Sequence, residues 1–266
     1  MPVLNWVRRH LVVFAGVAAL AYMTIPNVIV LVFSFNQPKG RFNYSWNHFS
    51  LDAWTNPCGV GDMCDSVSLS LQIAVLATLG ATVLGTMVAF ALGRHRFRGR
   101  GPVTGLIWLP MAMPEIVMGA SLGTLFLNMR IQFGFWTILI AHIMFCLSFV
   151  VTAVKARVMS MDPRLEQAAQ DLYATPWSTF WRITFPIAAP GIAAGALLSF
   201  AISIDDFIIT QFNAGPATVT FPMFVWGAAQ KGLPVQVNVI GTLMFVVAVL
   251  CVVVGQLLSR RRKAHS

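Results

Sequence analysis

Three acidic residues lie inside apolar runs of the sequence, where a charged group is costly. They are Glu115, Asp205 and Asp206. An ionised carboxylate at the centre of a bilayer costs about 2.5 to 3.5 kcal/mol on insertion scales, so such residues usually face a cavity or a partner. The sequence therefore predicts a pathway lined by negative charge, with packing through interhelical hydrogen bonds as the alternative.

Helical phase separates the two adjacent aspartates. One polar stripe recurs at spacings of four, three, four and three residues and comprises Ser199, Ser203, Asp206, Thr210 and Asn213. Asp205 instead shares its helix face with Ile202 and Ile209. Asp206, with Ser203 and Thr210, is thus the better candidate for lining a pathway, and Asp205 is expected to meet a neighbouring helix or a partner subunit.

Glu115 follows two prolines, Pro110 and Pro114, within one apolar run. Proline removes a backbone hydrogen bond and can open a helix, so the sequence predicts a local break there. At about 1.5 Å per residue, Glu115 is expected about 20 Å from the Pro102 end of its span, the end that the basic residues predict to be cytoplasmic.

Composition places these residues in a membrane protein. The 266-residue chain is 57% hydrophobic and 10% charged, with a mean hydropathy of +0.74, far from the composition of soluble domains. Spanning helices need about 20 apolar residues. Six runs qualify: Leu11–Phe35, Val67–Gly93, Pro102–Asn128, Ile131–Lys155, Ile187–Phe212 and Val237–Leu258. We predict an all-α fold with six transmembrane helices in one domain, residues 1–266.

The basic residues predict the orientation of the chain. Fourteen of the 18 Lys and Arg residues fall at the two termini and in two connections on one side, leaving Lys39, Arg41, Arg130 and Lys231 on the other. Because cytoplasmic segments carry the excess of Lys and Arg, both termini are predicted to be cytoplasmic. The high pI of about 10.1 then reflects topology and not nucleic-acid binding.

The four cysteines fall into two groups. Cys58 and Cys64 lie in the outer loop between the first two predicted spans, residues 36–66, and could form a disulfide if that compartment is oxidising. Cys146 and Cys251 lie within predicted spans, where cysteine usually serves packing. No cysteine or histidine spacing resembles a metal site, and His142 in the fourth span reads as a structural, hydrogen-bonded histidine.

A polar segment, Asp162–Pro186, lies between two spans on the predicted cytoplasmic side. Asp162 can cap one short helix, and Thr175, followed by Pro176, can cap another. The first helix has a narrow apolar stripe of Leu165, Ala168, Ala169 and Leu172. The segment could dock into a soluble partner, or lie on the membrane surface as an ordinary amphipathic connector.

This segment, LEQAAQDLYATPWSTFWRITFP, resembles the EAA loop of ABC-importer permease subunits. The positions that match its pattern are Ala168, Ala169, Asp171, Leu172, Ile183 and Pro186. Gln167 stands where the motif has Glu, Glu166 lies one residue early, and Tyr173 replaces a Gly. Because Tyr adopts a positive φ poorly, a different turn geometry or looser coupling is expected. The resemblance implies that the helix from Glu166 to Tyr173 contacts an ATPase.

The stretches MPEIVMGASL and SIDDFIITQF, followed by GPATVTFPMFV, look like spermidine/putrescine-type permeases. The resemblance implies a type I ABC-importer permease in a bacterial cytoplasmic membrane, with four kinds of partner. These are a second homologous permease, a pair of cytoplasmic ATPases that hold ATP and Mg, an extracytoplasmic solute-binding protein, and the lipid bilayer. Carboxylates along the pathway would attract a polyamine's ammonium groups while holding them weakly enough for release.

The chain contains no G-x-x-x-x-G-K-[ST] phosphate loop, so we expect no ATP hydrolysis, no catalytic residue and no cofactor in the chain itself. A secondary transporter that uses Glu115, Asp206 and His142 is the main alternative, and a membrane scaffold is another. The EAA-like segment and the lack of obvious inverted repeats speak against the secondary transporter.

Overall fold

The computed structural model describes the backbone of residues 2–263 and the side chains of residues 10–251, 253 and 255. Within these residues the chain is helical, and its only β feature is an isolated bridge between Asn36 and Phe49. The helices are α1 (Pro2–Phe33), α2 (Asp52–Thr55), α3 (Met63–Arg94), α4 (Arg100–Ala112), α5 (Glu115–Asn128), α6 (Phe135–Met159), α7 (Arg164–Asp171), α8 (Pro176–Thr179), α9 (Phe185–Asp205), α10 (Ile208–Asn213), α11 (Phe221–Lys231) and α12 (Val235–Lys263). A π-helical segment, Phe180–Thr184, joins α8 to α9.

The contacts group into two units, Met1–Cys64 with Val225–Ser266, and Asp65–Phe224. In the first unit α1 packs on α12, where Val30 faces Gly241. The connection after α1 is ordered by Asn36, whose side-chain amide donates to Asn43 Oδ1 at 2.6 Å and to the Ser45 carbonyl at 2.8 Å. Such bonds replace those that a helix or strand would have supplied to this loop.

The second unit is built on the packing of α6 against α9. Gly191 and Gly195 allow the close approach that their four-residue spacing predicts. A Cβ on Gly191 would lie 2.5 Å from Arg157 Cβ, and one on Gly195 would lie 3.4 Å from Val150 Cα. The Arg157 Nε atom also donates to the carbonyl of Ile187 at 2.9 Å, which ties the two helices near one end.

Apolar length supports most of the predicted spans. Within residues 2–263, four stretches are long and apolar enough to cross a membrane: His10–Phe33, Met63–Arg94, Phe135–Met159 and Pro176–Asp205. The bent pair α4 and α5 is a fifth if it counts as one span, and Val235–Cys251 is a shorter apolar helix. Six crossings and cytoplasmic termini stay predictions. The basic side chains of Arg8, Arg9 and Arg260–Lys263 lie outside the described residues.

Two predicted spans are not continuous helices. The third breaks between Ala112 and Glu115, where α4 and α5 meet at a bend of 110°. The predicted break at the prolines is therefore confirmed. The depth of about 20 Å for Glu115 was derived from a straight helix axis and stays a prediction. The fifth ends as a helix at Asp205 and resumes at Ile208.

Candidate functional site

The polar stripe of the fifth span is buried within the second unit. Ser199, Ser203, Asp206, Thr210 and Asn213 are all at most 9% exposed. The shared face predicted from their spacing is confirmed, although the helix breaks within it. Asp206 occupies that break, where its Oδ2 accepts from the backbone N–H of Thr210 at 2.8 Å and its Oδ1 from that of Ile209 at 3.3 Å. Asp206 thus caps α10, in the manner of an aspartate at a helix N-terminus.

His142 of α6 completes this cluster. Its Nδ1 lies 2.8 Å from Ser203 Oγ, and its Nε2 lies 2.9 Å from Thr210 Oγ1 and 3.3 Å from Asp206 Oδ2. The Thr210 hydroxyl has one proton, and at 2.9 Å it donates that proton to Asp206 Oδ2. It must then accept from His142, so we assign the proton to Nε2 and let Ser203 donate to Nδ1. Ser203, His142, Thr210 and Asp206 thus satisfy one another, whereas Ser199 Oγ and Asn213 Oδ1 of the same stripe have no partner among the described residues.

Asp205 differs from its neighbour, because it is exposed at the last residue of α9. The predicted separation of the two aspartates onto different faces is therefore confirmed. The pathway role assigned to Asp206, Ser203 and Thr210 stays a prediction, and in this chain their polar groups serve one another and α10.

Glu115 is exposed in the first turn of α5, directly after Pro114. A carboxylate at a helix N-terminus is stabilised by the unpaired backbone N–H groups and the helix dipole. This placement lowers the cost of keeping a charge at the break in the third span. Glu115 and Asp205 are thus acidic residues of predicted spans whose carboxylates this chain leaves open to contact.

The segment Asp162–Pro186 contains the predicted first short helix, α7, but the second, α8, begins as predicted at Pro176 and then continues through the π-helical segment into α9. Asp162 Oδ1 accepts from the backbone N–H of Arg164 at 2.9 Å, and Thr175 Oγ1 accepts from that of Ser178 at 3.3 Å. Pro186 has no N–H to continue the α-helical pattern, and the preceding Phe180–Thr184 turn is π-helical. The capping residues therefore predicted where both helices begin, but not the continuation of α8 into α9.

Glu166 attaches α7 to the second unit. Its Oε1 accepts from Arg94 Nη2 at 3.1 Å and from the Thr184 hydroxyl at 2.9 Å. These partners lie at the end of α3 and in the π-helical segment. Ala169, on the same side of α7, is 7% exposed. Gln167, Ala168 and Asp171 are exposed on the other side.

Tyr173 has a positive φ of 60°, the conformation for which the related motif uses Gly. Tyr173 thus adopts the left-handed conformation despite its side chain, and looser coupling, the other expected effect, stays a prediction. Its side chain is 97% exposed, and that of Leu172 is 82% exposed. A residue other than Gly pays about 1 to 2 kcal/mol for this conformation.

Cys58 and Cys64 form a disulfide, with Cα atoms 5.4 Å apart. Cys146 is buried and Cys251 exposed, both as free thiols. Among the described residues, no group of three or more His, Cys, Asp and Glu side chains could hold a metal ion.

Sequence reasoning missed two partners. His142 was placed correctly as a hydrogen-bonded residue, but its contact with Asp206 joins residues 64 positions apart, and no local pattern reports such a pair. Arg94 was counted only as a topology signal, and its partner Glu166 is 72 positions away. A buried polar stripe does demand a polar partner, so the stripe was the signal that could have led to His142.

Comparisons with known proteins agree with this architecture. Residues 81–264 match the family described as "Binding-protein-dependent transport system inner membrane component". The chain is 37% identical over 243 residues to the spermidine/putrescine transport system permease protein PotC of Escherichia coli strain K12, covering 91% of each chain. It is 33% identical to the putrescine transport system permease protein PotI of the same strain, covering 92% of this chain and 88% of that one.

A solved structure extends the likeness to the fold. A bacterial ABC transporter involved in the import of the acidic polysaccharide alginate has a chain that superposes with a TM-score of 0.67, at 18% identity, covering 96% of both chains. At this identity the likeness concerns the fold alone. The family match covers more than half of the chain, and the relatives match nearly all of it. The chain therefore belongs to the family of binding-protein-dependent transport system inner membrane components.

Proposed function

We propose that the chain is the membrane-spanning permease subunit of an ATP-driven importer for polyamines such as spermidine and putrescine. It would cross a bacterial cytoplasmic membrane six times, with both termini inside, and form half of the translocation pathway with a second homologous permease. A pair of cytoplasmic ATPases would hold ATP and Mg, and an extracytoplasmic binding protein would deliver the substrate. The relatives PotC and PotI carry these substrates in their names and support this choice.

The exposure pattern of α7 is the observation that carries the proposal. Glu166 and Ala169 face the chain, whereas Gln167, Ala168 and Asp171 are exposed and Leu172 and Tyr173 almost fully so. A helix anchored on one side and uncovered on the other is suited to docking in a groove. An ATPase groove would meet this exposed side.

For the substrate pathway we propose Asp205 and Glu115 as the carboxylates that meet the cation. Both are exposed. The carboxylate of Asp206, in contrast, accepts from the backbone N–H groups of Ile209 and Thr210 and from the Thr210 hydroxyl, and it also contacts His142. A carboxylate with free oxygen atoms can replace part of the hydration of an ammonium group. Asp206, Ser203 and Thr210 would act by holding the end of α9 in place.

A cysteine crosslinking experiment tests the coupling role. Ala168→Cys places a thiol on the exposed side of α7, and Ala169→Cys places one on the buried side, so the two variants are a matched pair. With the full chain expressed alongside candidate ATPases, a short bifunctional crosslinker should join Ala168→Cys to an ATPase much more efficiently than Ala169→Cys. No crosslinking from either variant, together with no ATPase retained during mild purification, would refute the proposal.

The secondary-transporter alternative is not favoured. Family membership points to an importer driven by a separate ATPase, and His142 and Asp206 are fully engaged with Ser203 and Thr210. Uptake that continues in ATP-depleted cells with an intact proton gradient would revive it.

A further inference from the structure

A cavity of about 190 Å³ lies between α3, α4 and α6, and its lining residues include none of the polar cluster and none of α7. Its walls are mainly apolar and include Leu92, Ile107, Val151 and Met159. Trp108 and Lys155 also line it. The cavity opens onto the surface of the chain, so a molecule from outside can enter it.

Lys155 is the charged residue of the cavity wall. Thr104 and Thr152 also line the cavity, but their hydroxyls donate to the carbonyls of Arg100 and Ser148 within their own helices at 2.8 Å. Among the described residues, no carboxylate lies within ion-pair distance of Lys155. An occupant must therefore combine an apolar part for the walls with an acceptor or a negative charge for the ammonium group. Water could accept from the ammonium group, but the apolar walls do not offer the two to four polar partners that a buried water needs.

The position of the cavity identifies the source of such a molecule. Lys155 lies four residues before the end of α6, which is about 6 Å along the axis of a helix long enough to span a membrane. Leu92 near the end of α3 and Thr104 near the start of α4 line the same cavity, so the connection between these helices lies at this end. That connection carries Arg96 and Arg98, which are exposed.

We propose that this cavity binds an anionic phospholipid of the surrounding membrane. The upper part of an acyl chain fills the apolar walls, and the phosphate group binds the ammonium group of Lys155. Arg96 and Arg98 add positive charge beside the headgroup. The proposal is independent of what the chain transports.

Native mass spectrometry of the full-length chain in mild detergent tests this site. Phosphatidylglycerol and phosphatidylethanolamine with identical acyl chains are the probes, and Lys155→Ala, Lys155→Arg and Lys231→Ala are the variants. A basic residue near an anionic headgroup contributes about 1 kcal/mol, which is about fivefold in binding. We expect phosphatidylglycerol to bind in preference to phosphatidylethanolamine, and Lys155→Ala to lower its binding about fivefold. Lys155→Arg should retain most of the binding, and Lys231→Ala, which removes the same charge elsewhere, should leave it unchanged.

Ile107→Trp fills the cavity without changing charge and keeps the test valid if Lys155→Ala does not fold. It should lower the retention of phosphatidylglycerol while the melting temperature stays near that of the unchanged chain. Equal binding of both lipids, or full retention of phosphatidylglycerol by Lys155→Ala and Ile107→Trp, would overturn the proposal. So would a crosslink from Trp108→Cys to a protein in place of lipid, because the cavity would then be a subunit contact.

Discussion

Replacing Asp206 by alanine should destabilise the chain far more than replacing Asp205, although the two residues are adjacent and carry the same charge. Asp206→Ala leaves the backbone N–H groups of Ile209 and Thr210 without an acceptor inside the packed second unit. It also removes the acceptor of the Thr210 hydroxyl and the carboxylate partner of His142.

The magnitude follows from the donors that lose their partner. Each buried donor left unsatisfied costs about 1 to 3 kcal/mol, and loss of a helix cap costs about 0.5 to 2 kcal/mol. The two figures describe the same backbone bonds and are not added. We therefore expect Asp206→Ala to lower the free energy of unfolding by about 2 to 4 kcal/mol. Asp205→Ala, at an exposed helix end, should change it by about 0.5 kcal/mol or less.

Thermal unfolding of the purified full chain, followed by the loss of the monodisperse peak in detergent, measures this difference. For a chain of this size, 2 kcal/mol corresponds to a fall in the midpoint of at least about 4 °C. Asp206→Asn should lie between the two alanine variants, because Asn is also a good cap but offers one acceptor oxygen in place of two.

Uptake normalised to the amount of folded protein separates stability from transport. We expect Asp205→Asn to lower polyamine uptake per folded molecule, whereas Asp206→Asn should lower mainly the amount of folded protein. Equal midpoints for Asp206→Ala and Asp205→Ala would refute the capping role. A larger loss of uptake per folded molecule in Asp206→Asn would refute the assignment of Asp205 to the pathway.

Three further predictions concern the second unit. Tyr173→Gly removes a side chain from a left-handed residue and should stabilise the chain by up to about 1 kcal/mol. The backbone strain relieved is about 1 to 2 kcal/mol, and the larger loss of chain entropy of Gly on folding offsets part of it. An unchanged or lower unfolding midpoint would contradict the presence of this strain. Arg94→Ala removes a charged partner of Glu166 and should increase protease cleavage within α7 severalfold. Arg96→Ala is the matched control, and equal cleavage in both variants would show that the ion pair does not hold α7. Gly191→Val should lower stability by about 1 to 3 kcal/mol by forcing α6 and α9 apart, and an unfolding midpoint equal to that of the unchanged chain would contradict the close packing.

Local patterns predicted the local features of this chain. Apolar runs located the helices, Pro110 and Pro114 predicted the break before Glu115, and Thr175 with Pro176 predicted the start of α8. These predictions succeeded because the causes act within one or two helical turns.

The contacts that could not be predicted from the sequence join residues far apart in the chain. Helical periodicity placed Asp206 on the polar stripe but could not predict its partners, which are the backbone N–H groups at the helix break and His142. The same applies to the Arg94–Glu166 pair. Tyr173 adopts a left-handed conformation that tyrosine disfavours, because the contacts of α7 and α8 outweigh the conformational cost at one residue.

The opposite environments of Asp205 and Asp206 have a consequence for the charge balance of transport. Because the oxygen atoms of Asp206 are engaged by hydrogen bonds within the chain, the carboxylates that this chain leaves open to the proposed pathway are those of Asp205 and Glu115. Putrescine carries two ammonium groups, and spermidine carries one more. If each ammonium group is matched by a carboxylate, this subunit can balance the shorter cation alone, and the additional charge of the longer one must be balanced by its partner. Preference for cation length would then be set by the pairing of two subunits and not by either one.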